Sequence, residues 1–243
     1  MLLPGVTFSQ AHNGFTGIPP DATLIEVQPL SSSRHANRAL VLWMNNPKES
    51  PRGDPDDPYT CPDTTFGSSF YGPTRVSLVD TATRNTINTL KIKRLPDGDT
   101  PEEDGPDEFA IPYWIRPDYY HVTRPLRKGE GKPAILYLKD YNSDGKLLEF
   151  ALFDARNCSV VLTQLIGYSE TQDRVIRYPI RLQPSSTESS DTFWFDHFLL
   201  EKPVRPGFWK FTLSYNTGDV FTYSIHYDPA HECFVGRVSS KKQ

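Results

Sequence analysis

Short runs in which apolar and polar residues alternate dominate this chain. Period two places one face of a strand on a core and the other in water. The best patterned stretch lies near the C-terminus. There Trp209, Phe211, Leu213 and Tyr215 alternate with Lys210, Thr212 and Ser214, and Asn216-Thr217-Gly218 turns the chain. On the return Phe221, Tyr223, Ile225 and Tyr227 alternate with Thr222, Ser224 and His226, which predicts a hairpin with one aromatic face inward. A second hairpin is predicted over 74–93. Val76 and Leu78 alternate with Arg75 and Ser77, residues 80–85 turn, and Leu90 and Ile92 alternate on the way back. Further strands are predicted over 23–28, 134–139, 147–153, 192–200 and 232–237. The stretch 38–45 is apolar almost without a break and reads as a buried strand. After a turn at 170–173, residues 174–182 read as one returning strand.

Proline sharpens this picture. There are 22 prolines among 243 residues, against an ordinary share of about 5%, which argues against long helices and for strands joined by rigid turns. Two prolines divide 109–122 (FAIPYWIRPDYYHV) into two short edge-type strands. Residues 154–169 carry Cys158, Val161, Leu162, Leu165 and Ile166 at helical spacing but close on strand-forming residues. They predict a helical turn near 155–160 and then a strand to 169. The first twenty or so residues read as an irregular lead-in, and 46–73, 96–108 and 184–191 as connections. Twelve or more short strands without a long helix make an all-β, antiparallel, hairpin-rich chain. The first choice is a β-sandwich or distorted barrel, and the alternative is irregular and β-propeller-like. The chain reads as one domain, 1–243, with 97–108 as the candidate boundary.

Charge and cysteine content narrow the setting. Lys and Arg number 26 against 30 Asp and Glu, a net charge of −4, which argues against a nucleic-acid partner. No apolar stretch is long enough for a transmembrane segment. The start, Met1-Leu2-Leu3-Pro4-Gly5, has neither a basic region nor an apolar run of seven, so no signal peptide is expected within this chain. The three cysteines, Cys61, Cys158 and Cys233, form no C-x-x-C pair. They allow one disulfide, for which Cys61–Cys158 is the favoured pairing, or three reduced thiols. Abundant Thr, Ser, Pro and Tyr, only two Met and one candidate calcium loop point to an extracytoplasmic, periplasmic or secreted location.

That loop is Asp140-Tyr141-Asn142-Ser143-Asp144-Gly145-Lys146, a D-x-N-x-D-G-x pattern. Calcium takes six to eight oxygens, and alternate residues of a tight loop can aim oxygens at one point. Asp140, Asn142 and Asp144 are the candidate side-chain ligands, Gly145 permits the sharp turn, and the carbonyl of Lys146 is a backbone ligand. An EF-hand is excluded, because loop position twelve is Ala151 and the flanks AILYLK and LLEFALF are strand-like. The segment KDYNSDGKLLEFALFD instead resembles the calcium loops of FG-GAP and VCBS-type repeats, which join two strands. That resemblance implies Asp140, Asn142 and Asp144 as ligands. The family's acidic residue at position nine is Leu148 here, and Glu149 follows one step later as the remaining ligand. The same residue types also suit an ordinary β-turn. Separately, the 74–93 hairpin (RVSLVDTATRNTINTLKI) resembles a blade hairpin of the YVTN family of β-propellers, over about twenty residues and without a repeat.

Catalytic signatures are sparse. The chain has no G-x-S-x-G elbow, no phosphate-cradling glycine loop and no H-E-x-x-H. The cluster from His226 to Cys233, with His231, reads as turn and exposed-face residues. His197 and His121 lie in aromatic strands and read as hydrogen-bonded. Asp54, Asp56, Asp57 and Asp63 lie in a solvated connection. Tyr113, Trp114, Tyr119, Tyr120, Trp194 and Trp209 are candidates for a sugar-stacking platform, although core packing accounts for most aromatics in a β fold. The expectation is a non-catalytic, calcium-stabilised binding or structural module with a protein or carbohydrate ligand. The alternative is a carbohydrate-active hydrolase on a β scaffold, which needs two converging carboxylates.

Overall fold

The computed structural model describes residues 14–50, 69–92, 108–112, 121–122, 133–154, 162–183, 194–195, 203–214 and 218–242. These form strands and no helix, in open and mainly antiparallel sheets. The architecture is therefore that of a sandwich and not of a closed barrel. Among the described residues no helix is long and apolar enough to cross a membrane.

The first sheet holds β1 (Thr23–Pro29), β2 (Arg38–Met44), β3 (Lys48–Ser50), β4 (Ser69–Asp80), β5 (Asn85–Lys91) and β6 (Glu108–Pro112). Its hub is β4, which pairs with β3 and β6 along its first half and with β2 and β5 along its second. Two short strands, β7 (His121–Val122) and β8 (Pro133–Ala134), pair with each other. The second sheet joins β9 (Glu149–Asp154), β10 (Leu162–Ser169), β11 (Arg174–Arg177) and β13 (Trp194–Phe195). In the third sheet β12 (Ile180–Gln183) runs parallel to β16 (Cys233–Lys242), which pairs antiparallel with β15 (Asp219–Asp228), followed by β14 (Phe208–Ser214).

One core serves all three sheets. Leu40, Leu42 and Met44 from the first meet Phe150, Leu152 and Leu165 from the second. Trp209, Ile225 and Phe234 of the third belong to the same cluster. Full burial of each such side chain contributes roughly 1.5–3 kcal/mol. Strand β2 is apolar on both faces for a visible reason. Its other face, Ala39, Val41 and Trp43, builds a second cluster with Val79 and Ile18, against which Phe15, Ala22 and Leu24 also pack. Part of the irregular N-terminal lead-in thus covers the outer side of the first sheet.

Several predicted elements change. The stretch 134–139 is not a strand: beyond β8 it holds only an isolated bridge at Lys139. Pro133 has no N–H to give a ladder, and the Ile135 amide bonds the carboxylate of Glu26 at 2.8 Å, so a side chain replaces a neighbouring strand. The predicted strand 174–182 is split at Tyr178–Pro179 into β11 and β12, which belong to different sheets. The connection 46–73 contains β3 and the start of β4, and β16 runs on through the charged tail to Lys242. In the 74–93 hairpin both faces of β4 are covered, so Arg75 and Ser77 are buried alongside Val76 and Leu78. The predicted helical turn at 155–160, most of 192–200, and the connections 96–107 and 184–191 lie outside the described residues.

A guanidinium ties distant turns together. Arg38, at the start of β2, bonds Asp80 at 2.7 Å and grips both oxygens of Asp173 at 3.0 and 2.8 Å. Tyr168 also donates to Asp173, at 2.7 Å. The Arg38 hydrogen bonds hold the Asp173 carboxyl down to about 2. Because that group ionises more readily folded than unfolded, its contribution is complete above the ordinary aspartate range and is lost as pH falls toward about 2. We expect Arg38→Ala to lower the melting midpoint at neutral pH by several degrees and to flatten the loss of stability between about pH 4 and pH 2. Thermal melts across that range check both effects, and an unchanged acid limb would count against the pairing.

Candidate functional site

The loop between Lys139 and Glu149 is closed by two backbone bonds, Lys139 N to Glu149 O at 2.7 Å and Glu149 N to Lys139 O at 3.2 Å. Inside it, short polar side chains fold onto the loop's own amides. Asp140 Oδ1 and Oδ2 accept from the amides of Asp144 and Gly145 at 3.1 and 3.0 Å. Asn142 Oδ1 accepts from Asp144 N at 3.0 Å, and Asp144 Oδ1 from Lys146 N at 2.9 Å. This winding demands a left-handed residue near its tip, and Gly145 provides it at φ 87°, with Ser143 at φ 63° before it.

Glu149 ties the loop to the core. It is fully buried, and its carboxylate accepts from Tyr141 N at 3.0 Å and from Asn142 Nδ2 at 3.1 Å. Burial pushes its carboxyl up to about 8, with the neighbouring charges of Asp144 and Asp140 adding to the rise. Room for it exists because residue 167 is glycine: a Cβ there would come within 2.8 Å of Glu149 Cγ. The Lys146 side chain leaves the loop and pairs with Glu170, whose other oxygen accepts from Arg34 N at 2.6 Å.

The structure therefore joins Asp140, Asn142, Asp144 and Glu149 in one hydrogen-bonded network. As a cation site the donor set is thin. Each named oxygen of Asp140, Asn142 and Asp144 accepts one bond from an amide and keeps a second lone pair. These three alternating side chains suit a hard cation whose shell is completed by a carbonyl and water. Glu149 is turned onto the loop backbone and braces it. Among the described residues no three His, Cys, Asp or Glu side chains are grouped to hold a metal.

Beside the loop lies an open groove of about 730 Å³. Asn142, Ser143 and Asp144 line one side of it, and the turn 205–208 and the end of β15 line the rest. That turn is closed by Phe208 N to Arg205 O at 2.9 Å. It seats against the loop through Gly207, at φ 67°, where a Cβ would stand 3.0 Å from Ser143 Oγ. Arg205 lies over the Phe208 ring, 5.0 Å from its centre. Phe208 and His226 are opposite partners in the β14–β15 ladder, so both point away from the core face that buries Trp209 and Ile225.

The other residues singled out from sequence do not gather here. His226 is exposed, on the polar face of the hairpin as expected, and lines the groove. His231 sits in an exposed turn with Nδ1 2.7 Å from Asp228 Oδ2. Cys233 is buried and forms no disulfide. Trp209 packs on Phe234 inside the core, with ring centres 5.8 Å apart, and offers no face to a sugar. Cys61, Cys158, Asp54, Asp56, Asp57, Asp63, Tyr113, Trp114, Tyr119, Tyr120 and His197 lie outside the described residues, as do the side chains of His121 and Trp194. Sequence reading missed Arg205, Gly207 and Phe208. The Pro206-Gly207 pair marks a turn, but nothing local says that this turn docks on a loop some sixty residues earlier. Compared with known proteins, the chain matches no protein family, no curated relative and no solved structure.

Two substitutions test this geometry. Glu149→Ala strands the buried donors of Tyr141 and Asn142 and opens a void, and is expected to cost roughly 2–4 kcal/mol by denaturant melt. Gly207→Ala forces a side chain into a left-handed position against Ser143, at about 1 kcal/mol. It should also speed hydrogen exchange at the Gly145 and Lys146 amides. Unchanged exchange there would mean that the turn does not hold the loop.

Proposed function

We propose that this chain is a non-catalytic, extracytoplasmic binding module whose groove is framed by a calcium-stabilised loop. The observation that carries the reading is the seating of loop 140–146 against the turn 205–208, which makes the candidate cation loop one side of the groove. A divalent cation shared by Asp140, Asn142 and Asp144 would neutralise crowded oxygens and stiffen that side. Its chemistry is structural: it holds the loop in place and carries no reaction step. With so few strong ligands the site belongs to the weak class that extracellular calcium saturates and cytosolic calcium does not, which supports the extracytoplasmic setting.

The groove favours binding over two-carboxylate hydrolysis. Among its described lining residues the carboxylate is Asp144; of the network's two other acids, Glu149 is buried beneath the loop and Asp140 bonds the loop's own amides. Glycoside hydrolysis needs two carboxyl groups facing one space.

Thermal melts in excess EDTA and then in millimolar calcium test the reading. A ligand that binds only the folded chain adds about 2.7 kcal/mol at 100 times its dissociation constant, a shift of several degrees for a chain of this length. The expected result is a calcium-specific rise that magnesium does not reproduce and that Asp144→Ala abolishes. No rise at any calcium concentration would leave Asp140–Lys146 as an ordinary turn and remove the calcium part of the proposal.

A further inference from the structure

We infer that the groove binds a monocarboxylated sugar, of the hexuronate type, with the sugar carboxylate on Arg205 and its hydroxyls on the loop side. The inference rests on the binding-module reading and names its ligand class. Arg205 is exposed, and among the described residues its guanidinium has no carboxylate partner and lies over the Phe208 ring. A guanidinium beside an aromatic ring keeps its fork of N–H donors for a carboxylate. His226, on the strand position opposite Phe208, adds an exposed imidazole to the lining.

The facing side has the complementary chemistry. Asp144 Oδ1 accepts from the Lys146 amide, while Oδ2, without a hydrogen-bond donor among the described residues, can accept from a hydroxyl. Ser143 Oγ, also on the groove, can donate or accept. Pro206 and Pro229 supply C–H surface against which a pyranose lies, while the Tyr227 ring is turned toward the core, against Tyr178 and Phe234. The volume of about 730 Å³ is within the range of small-ligand sites. One guanidinium facing one carboxylate limits the net charge of the occupant. A single negative charge is matched by Arg205, whereas a phosphate dianion brings a second charge up against Asp144. A neutral sugar leaves Arg205 unused.

Ligand-observed and protein-observed NMR titrations with glucuronate, glucose, inorganic phosphate and glycine test this, each in calcium and in EDTA. Glucuronate is expected to bind with a dissociation constant on the order of 1 mM and to shift the resonances of Gly207, Phe208 and His226. Arg205→Ala should weaken it tenfold or more while leaving the melting midpoint unchanged, and Arg205→Lys should recover part of the loss. Equal binding of glucose and glucuronate, tighter binding of phosphate or glycine, an unaffected Arg205→Ala, or no binding at all would each overturn the inference. Because the calcium melt reads the loop alone, an intact calcium shift without glucuronate binding sinks only this inference. Glucuronate binding without a calcium shift sinks only the cation loop.

Discussion

Tyr178 and Pro179 are where the chain leaves one sheet and enters another, and both sheets are bonded to that step. Tyr178 N donates to Leu165 O of β10 at 2.8 Å, and Pro179 O accepts from Phe234 N of β16 at 2.9 Å. Proline cannot extend the β11 ladder, so the run RVIRYPIRL must stop pairing there. The break turns β12 into a parallel partner of β16. Around the step, Tyr178 packs edge-on to Tyr227 and Phe234, and Trp209 packs on Phe234 from β14. Each sheet is open and apolar toward the shared core, so none can bury that face alone. The crossing strand is what keeps the second and third sheets in register with each other.

The same packing reaches the groove. Glu149 belongs to β9, and its backbone pairs with Gly167 of β10. Its side chain, confined by the neighbouring glycine, satisfies its oxygens on the loop, at Tyr141 N and Asn142 Nδ2 among others. A buried carboxylate bonded only to neutral donors is costly when charged, which is why it rises to about 8. The network keeps the loop at a fixed height above the core, and Glu170, through Lys146, fixes its outer edge. The groove is therefore a by-product of sheet packing on one side and of a tight glycine turn on the other.

Much of the fold is legible in the pattern. Alternation marks β14 and β15, the continuous run RALVLWM marks a strand buried on both faces, and the turns before β5 and β11 lie where polar residues predict them. The failures share a cause. At 134–139 Ile135 and Leu136 are buried, but the Ile135 amide is satisfied by Glu26, more than a hundred residues earlier. At 174–182 the chain is extended on both sides of Pro179, but two different sheets use it. Periodicity reports which side chains are buried; it does not report which backbone satisfies the N–H groups.

The sequence by itself determined the all-β class, the main hairpins and the winding of Asp140–Lys146, because these depend on neighbours within a few residues. Alternation, turn chemistry and Asx-type bonds are local interactions, and local interactions can be read in order along the chain. Only the tertiary structure decided that Glu149 braces the loop from below, that Arg38 joins turns 42 and 135 residues away, and that Arg205, His226 and Asp144 line one groove. Those contacts depend on how three sheets stack on a common core, and their partners are chosen by packing distance, which sequence separation does not encode.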